Sequence, residues 1–159
     1  MRLFALQVPV ERRRVDAALL GLVEPLAAAD MLQLSGDEVR ALVDIRPYGD
    51  EAHDWWIVCD PTPGLNGPQG VMNPEHVLGI SEASSSLAQL TVREPVGRAL
   101  DLGTGCGVQA LHLAQHSGTV VATDVNTRAL QMARLTASLN ELDIDVRDGS
   151  LFDPVAGET

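Results

Sequence analysis

Residues 98–116 read RALDLGTGCGVQALHLAQH, and this stretch decides the fold. Ala99, Leu100 and Leu102 suit a short buried strand, and glycines at positions 103, 105 and 107 separate it from an apolar helix. A strand, a glycine loop and a helix in this order build a ligand site at the carboxyl edge of an α/β sheet. The glycines permit positive φ and let a ligand approach the free N–H groups at the start of the helix.

The spacing of the glycines, and the acid before them, separate two cofactor classes. The loop is G-x-G-x-G rather than the G-x-G-x-x-G of dinucleotide-binding sites, and Asp101 stands at the end of the strand. A carboxylate there disfavours a pyrophosphate and suits a ligand with an ammonium group, because opposite charges attract. S-adenosylmethionine carries such a group, so the pattern favours this cofactor over NAD.

A second acid and a third strand follow where a nucleoside needs them. Residues 118–124 read GTVVATD, a β-branched strand that ends at Asp124. An acid about 20 residues beyond a glycine loop accepts hydrogen bonds from ribose hydroxyls. Asn126 is predicted to cap a helix over residues 127–139. Residues 145–148 form a third predicted strand, and the loop after it suits a wall for an adenine ring.

Taken together, these blocks resemble one enzyme family. The segments ALDLGTGCGVQALHLA, VVATDVN and RDGSLFDP have the order and spacing of class I S-adenosylmethionine-dependent methyltransferases. The chain most resembles the branch with release-factor glutamine and ribosomal RNA guanine-N2 methyltransferases, and its upstream part is similar to actinobacterial-type methyltransferases. The resemblance assigns the methionine end of the cofactor to Asp101, Gly103, Gly105 and Gly107, the ribose to Asp124, and the adenine to Asp148, Gly149, Ser150 and Leu151, with Thr104, Cys106 and Val125 as further cofactor-binding residues.

The same resemblance implies an acceptor motif that this chain lacks. In the family a fourth strand ends in Asn-Pro-Pro followed by Tyr or Phe, which holds the nitrogen to be methylated. No Asn-Pro-Pro occurs here, and Asn73-Pro74 precedes the glycine loop. We therefore expect an amino-terminal fragment of a methyltransferase that acts on a nitrogen of RNA or protein. It would hold most of the cofactor cradle, no catalytic residue and no activity alone. The alternative is a noncatalytic nucleotide-binding or protein-interaction module.

The expected fold class is α/β, with a different module in front. Residues 11–20 and 21–29 have helical patterns, and residues 31–34 and 38–46 predict a hairpin around Ser35-Gly36-Asp37. Helix, helix, hairpin is the order of winged-helix domains. The predicted organisation is a winged-helix-like α+β module (residues 1–60), a connecting segment over the cofactor site (61–93), and an incomplete methyltransferase domain (94–159) with the first half, β1-α-β2-α-β3, of a Rossmann-like sheet.

Composition limits the partners. The net charge is −11, with 22 acidic and 11 basic residues among 159, so nonspecific binding of a phosphate backbone by these residues alone is disfavoured. No apolar run reaches the roughly 18 residues of a membrane span, and we expect no membrane contact and a cytoplasmic location. Two isolated cysteines fit a reducing compartment. A half-sheet leaves apolar surface uncovered, so we expect a second copy or the missing carboxyl-terminal part to cover it.

Several features have a structural reading beside a functional one. His112 and His116 have the spacing of metal ligands but lack a third partner, so no metal site is predicted and an ordinary pair on the helix surface is favoured. Cys106 is interpreted as a small packing residue rather than a nucleophile. Ser84, Ser85 and Ser86 could meet the cofactor carboxylate or cap a helix. Of Trp55 and Trp56, on opposite faces of a strand over residues 54–59, one is expected in the core.

Overall fold

The computed structural model describes residues 1–64 and 73–158 and divides the chain into two compact units. The first comprises Met1–Arg46 and Asp60–Met72, and the second comprises Pro47–Cys59 and Asn73–Thr159. This division differs from the boundaries expected at residues 60 and 93, since Pro47–Cys59 belongs to the second unit. The predicted irregular connection over residues 61–70 is helix- and strand-free at residues 61–64, and its remainder lies outside the described residues.

The first unit is a small antiparallel sheet with two helices. Its elements are β1 (Val10–Glu11), α1 (Arg12–Leu19), α2 (Val23–Ala28), β2 (Leu32–Ser35) and β3 (Glu38–Ala41), with sheet order β1-β3-β2. Leu34 pairs with Val39 across the turn, where Gly36 has φ +57°. Val15, Val23, Leu32 and Val39 form the buried core. The two helices and the hairpin start predicted from the sequence are therefore confirmed.

The second strand of the predicted hairpin is broken in two. The alternation over residues 38–46 predicted one strand, but β3 ends at Ala41 and β4 spans Asp44–Gly49. The prediction was wrong because the alternation of the sequence, with an apolar residue at every second position, continues through residues 42 and 43, whereas the backbone bends there and leaves the neighbours Val43 and Asp44 both buried. Beyond the bend, β4 leaves the first sheet and pairs with β5 (Asp54–Cys59) in a two-stranded sheet.

The second unit contains the predicted half-sheet. Its elements are α3 (Glu82–Leu90), β6 (Val96–Leu102), α4 (Val108–Ala114), β7 (Ser117–Asp124), α5 (Thr127–Leu139), β8 (Ile144–Asp148) and a 3₁₀ turn (Asp153–Val155). The strands β6, β7 and β8 are parallel and adjacent in that order. Residues 120–123 of the central strand are all buried, as expected for a parallel strand covered on both faces. Ala110, Val120 and Ala122 form the core between sheet and helix.

Helix α5 is held at its start and along its outer face. The side chain of Asn126 caps it, as predicted, by accepting from the backbone N–H groups of Arg128 (2.9 Å) and Ala129 (3.4 Å). Strand β5 lies against the other side, where the Val58 N–H donates to Thr136 Oγ1 at 3.1 Å. On that strand Trp55 is buried and Trp56 is exposed, which confirms the predicted alternation. No helix within residues 1–64 and 73–158 is long and apolar enough to span a membrane.

Candidate functional site

The glycine loop lies at the carboxyl edge of the parallel sheet. It follows β6, and the Thr104 N–H donates to the backbone oxygen of Thr123 on the neighbouring strand at 2.9 Å. Gly103 and Gly105 have φ values of +69° and +56°, and a Cβ at either position would meet no atom within 4 Å. The loop is therefore tied to the sheet while its two glycines face open space, as a ligand cradle requires.

Asp101 places a carboxylate beneath this loop. The side chain is buried, and its Oδ2 accepts a hydrogen bond from Thr104 Oγ1 at 2.7 Å. Burial raises the pKa of Asp101, since it disfavours the charged form, and the Thr104 hydrogen bond partly opposes this. The negative charge of Asp124 adds a smaller upward shift of the pKa. A cationic ligand group beside Asp101 would remove this penalty, so the site is suited to an ammonium group.

A cavity of about 250 Å³ opens beside Asp101. Five of the predicted site residues line it, namely Asp101, Gly103, Thr104, Gly105 and Cys106. Its other walls are Leu102, Val108 and Gln109 next to the loop, and Leu78, Gly79, Ala83, Ser84 and Leu87 from the segment upstream. Of the upstream residues, the sequence pointed only to Ser84. Leu78, Gly79, Ala83 and Leu87 were missed because leucine, alanine and glycine carry no functional group that would indicate a site.

The helix cap upstream of the loop is Ser81, whereas Ser84, Ser85 and Ser86 all lie within α3. Ser81 is the cap of α3: its Oγ accepts from the Ser84 N–H at 3.1 Å, and the Ser84 Oγ accepts from the Ser81 N–H at 2.8 Å. This reciprocal pair is a capping box, and it satisfies two N–H groups that the first turn leaves open. Because Ser84 also lines the cavity, the helix start is fixed at the cavity wall.

Gly107 and Cys106 complete the loop from the protein side. Gly107 begins α4 with φ +90°, and a Cβ there would lie 3.5 Å from the Cα of Ala133 on α5. That distance is an ordinary van der Waals contact, so the positive φ rather than a lack of space favours glycine here. Cys106 is buried, and burial raises the pKa of its thiol to about 11. The thiol stays protonated near neutral pH, in line with the predicted packing role.

Asp124 joins the second and third segments to the loop. Its Oδ2 accepts from the Gly105 N–H and its Oδ1 from the Asn126 N–H, both at 2.9 Å. Its backbone oxygen accepts from the Gly149 N–H at 3.1 Å. Asp124 is also in register with Asp148, the last residue of β8. The edge of the sheet therefore brings the three predicted cofactor segments side by side.

The remaining predicted residues form an open rim. Val125 after β7 is 68% exposed and Leu151 after β8 is 70% exposed, so both present apolar surface to solvent. Asp148 and Ser150 are also exposed, and Gly149 is half-buried. Unlike the loop residues, none of these five lines the cavity beside Asp101. The rim thus lies along the open edge of the sheet, beyond the enclosed part of the site.

His112 is not the surface residue that its spacing suggested. It is buried, and the hydroxyl of Tyr48 lies 2.7 Å from its Nε2. The ring of Trp55 meets it edge-on, with 4.8 Å between centroids. Burial lowers the pKa of His112. The prediction of an exposed His112–His116 pair was wrong because residues some 60 positions upstream cover this face. Within residues 1–64 and 73–158, no three His, Cys, Asp or Glu side chains are grouped to hold a metal ion.

Comparisons with known proteins identify methyltransferases as relatives of this chain. The ribosomal RNA small subunit methyltransferase C of Salmonella arizonae is 30% identical over 122 residues, which cover 76% of this chain and 33% of the relative. The release factor glutamine methyltransferase of Deinococcus radiodurans is 44% identical over 62 residues, 38% of this chain and 22% of the relative. This chain thus spans a third or less of either relative.

A solved structure extends the likeness to the fold of both units. The 16S rRNA N2 methyltransferase of T. thermophilus, in complex with AdoMet and guanosine, matches with a TM-score of 0.53 and 15% identity over 95% of this chain and 43% of its own. The family described as methyltransferase small domain matches residues 78–159. The predicted methyltransferase class is confirmed at the level of the family, and the T. thermophilus neighbour was solved with the predicted cofactor bound. The chain belongs to the methyltransferase small domain family.

Proposed function

We propose that this chain binds S-adenosylmethionine at the carboxyl edge of β6, β7 and β8. Asp101 receives the ammonium group, and the backbone of the glycine loop lies along the methionine end. Asp124 receives the ribose hydroxyls, and the loop after β8 borders the adenine. The residues assigned to the cofactor are Asp101, Gly103, Thr104, Gly105, Cys106, Gly107, Asp124, Val125, Asp148, Gly149, Ser150 and Leu151.

One observation carries this proposal: a buried carboxylate borders a cavity whose opposite walls are glycine backbone and apolar side chains. The cavity of about 250 Å³ is smaller than the roughly 300–1,000 Å³ typical of small-molecule sites. It therefore suits the methionine end, while the nucleoside follows the open rim at Asp124 and Asp148. Open space at Gly103 and Gly105 leaves room for a ligand against the loop.

We propose that the activity is transfer of a methyl group to a nitrogen of RNA or protein. When bound, S-adenosylmethionine supplies an activated methyl group on its sulfonium. The residues of this chain bind and orient the cofactor, and positioning accounts for much of the rate of such transfers. The chain holds no Asn-Pro-Pro, so the acceptor nitrogen is assigned to none of its residues.

The organisation that we propose keeps a winged-helix-like module at the amino end (residues 1–60). Support comes from the element order of the first unit, two helices and then a hairpin, with β1 added to the sheet. Residues 61–93 connect this module to the cofactor-binding part (residues 94–159). We also propose a cytoplasmic location, to which two free buried cysteines are suited, and contact of the half-sheet with a second copy or with further residues of the enzyme.

Calorimetric titration tests the cofactor proposal. The chain is expected to bind S-adenosylhomocysteine and not NAD, and D101N is expected to weaken binding at least about tenfold because it removes a charged partner of the ammonium group. T119A, on the same sheet but away from the loop, is the matched control. Equal affinity of D101N and the unchanged chain would contradict the assignment of Asp101, and tight binding of NAD would contradict the cofactor class.

A further inference from the structure

The segment upstream of the glycine loop forms one wall of the cavity. We call residues 73–90 the strap; it comprises an irregular stretch with a turn at residues 74–75, and then α3. Its residues Leu78, Gly79, Ser84 and Leu87 face the loop across the cavity. A strap of this kind must be held in place, because backbone without sheet partners has low local stability.

Two side-chain amides hold the strap, and both bind its backbone oxygens. Asn126 Nδ2 donates to the backbone oxygen of Glu75 at 2.9 Å, across 51 residues. Gln109 Nε2 donates to the backbone oxygen of Ser84 at 2.6 Å, across 25 residues. Because backbone oxygens are the acceptors, the contacts do not depend on the side chains of Glu75 or Ser84.

The two donors stand next to two of the acids assigned to the cofactor, Asp124 and Asp101. Asn126 begins α5 two residues after Asp124, and its N–H donates to that carboxylate at 2.9 Å. Gln109 lies in the first turn of α4 and lines the same cavity as Asp101. Asp101 and Asp124 are thus each accompanied by an amide that reaches across to the strap.

We propose that Gln109 and Asn126 are positioning residues that hold the strap over the cofactor. This inference rests on the proposed function, since the cavity is taken as the site of the methionine end. The amides act through the strap: they fix the distance between its wall and the glycine loop. Loss of either amide lets the strap move away, lowers cofactor affinity and leaves the sheet and its helices intact.

Isosteric variants separate this role from charge and from folding. N126D keeps the oxygen that caps α5 and loses only the donor to Glu75. It also adds a negative charge beside Asp124, and S-adenosylhomocysteine carries no sulfonium that this charge could attract, so an uncharged variant is tested beside it. N126S also keeps a cap but adds no charge. Q109M removes the second donor. Q115M is its control, because the side-chain amide of Gln115 donates a hydrogen bond to the backbone oxygen of Leu111 and does not line the cavity.

The experiment combines calorimetry with S-adenosylhomocysteine and hydrogen exchange of the strap. We expect N126D, N126S and Q109M each to weaken binding about 3- to 10-fold, as loss of one hydrogen bond predicts. Hydrogen exchange in these variants should accelerate within residues 73–90 only, and their melting temperatures should not change. Q115M should match the unchanged chain in affinity and in exchange. The inference would be overturned if the three variants bound the cofactor product with the affinity of the unchanged chain and their strap amides exchanged at the unchanged rate. If the unchanged chain does not bind, the proposed function fails, and exchange alone decides whether the amides hold the strap.

Discussion

The hydroxyl of Tyr48 lies 2.7 Å from Nε2 of His112 and joins the β4–β5 hairpin to the helix that follows the glycine loop. The ring of Trp55 packs against both side chains. With the hydroxyl as donor, Nε2 is the acceptor and the proton of a neutral imidazole sits on Nδ1, 4.0 Å from Asp50 Oδ2. Helix α4 is therefore fixed from outside the sheet as well as by it.

The first prediction concerns this hydrogen bond. Y48F keeps the ring contacts but leaves a buried imidazole nitrogen without its partner. A buried polar group without a partner has given up its hydrogen bonds to water and gains none in return. We therefore expect the free energy of unfolding to fall by about 1–3 kcal/mol. Urea denaturation measures this. In Y48F/H112L the unsatisfied nitrogen is also removed, so Y48F should cost less in the H112L background; equal losses would show that the two side chains are not coupled.

Stability should also depend on the ionisation of His112. Its pKa is lowered in the folded state, chiefly by burial, with Arg93 acting in the same direction and Asp50 against it. The unfolded state therefore takes up the proton first. The contribution of neutral His112 is complete above the unfolded pKa of about 6.5 and is lost as pH falls from there through the lower folded value. Denaturation between pH 7.5 and 5 should show a smaller loss in H112Q than in the unchanged chain.

Cofactor affinity should rise with pH through the raised pKa of Asp101. Burial favours the protonated acid, whereas an ammonium group requires the carboxylate, so binding releases a proton at pH values near that pKa. Titration of S-adenosylhomocysteine in buffers with different ionisation enthalpies measures this release. D101N should abolish the proton release in this range, and an unchanged proton count would assign it to another group.

Gly107 should tolerate a methyl group poorly. Its φ of +90° is costly for any residue with a Cβ, and we expect G107A to destabilise the protein by about 1–2 kcal/mol. G97A is the matched control, because Gly97 lacks a positive φ and a Cβ there meets no atom within 4 Å. Equal midpoints of thermal unfolding for the two variants would contradict this explanation.

Local patterns predicted the site-bearing half of the fold closely. The helix over residues 127–139 and its Asn126 cap match the structure residue by residue, because the cap and the apolar period are both local signals. The strand at residues 54–59 is also placed correctly. The bend at Leu42 and Val43 was missed because the alternation of the sequence, with an apolar residue at every second position, continues through it. It depends on strand pairing rather than on a turn residue.

The parts that sequence reasoning missed depend on contacts between distant residues. The sequence near His112 does not indicate that it is buried, because the residues that cover it, Tyr48 and Trp55, are distant in sequence. Likewise, nothing near Gln109 in the sequence indicates that its amide reaches Ser84. The glycine spacing and the acids at the strand ends are local features of the sequence, and five of the residues predicted from them line one cavity, whereas the wall opposite them is defined only by the fold.

Asn126 shows how one side chain can be more constrained than its local role requires. As a helix cap it needs only an oxygen, which aspartate, serine or threonine would supply equally well. Its nitrogen, however, donates to Glu75, and an amide, unlike a carboxylate or a hydroxyl, places a donor and an acceptor on two separate atoms. Hydrolysis of this single amide to a carboxylate, the chemical ageing to which asparagine is prone, would therefore leave α5 capped and free one end of the strap.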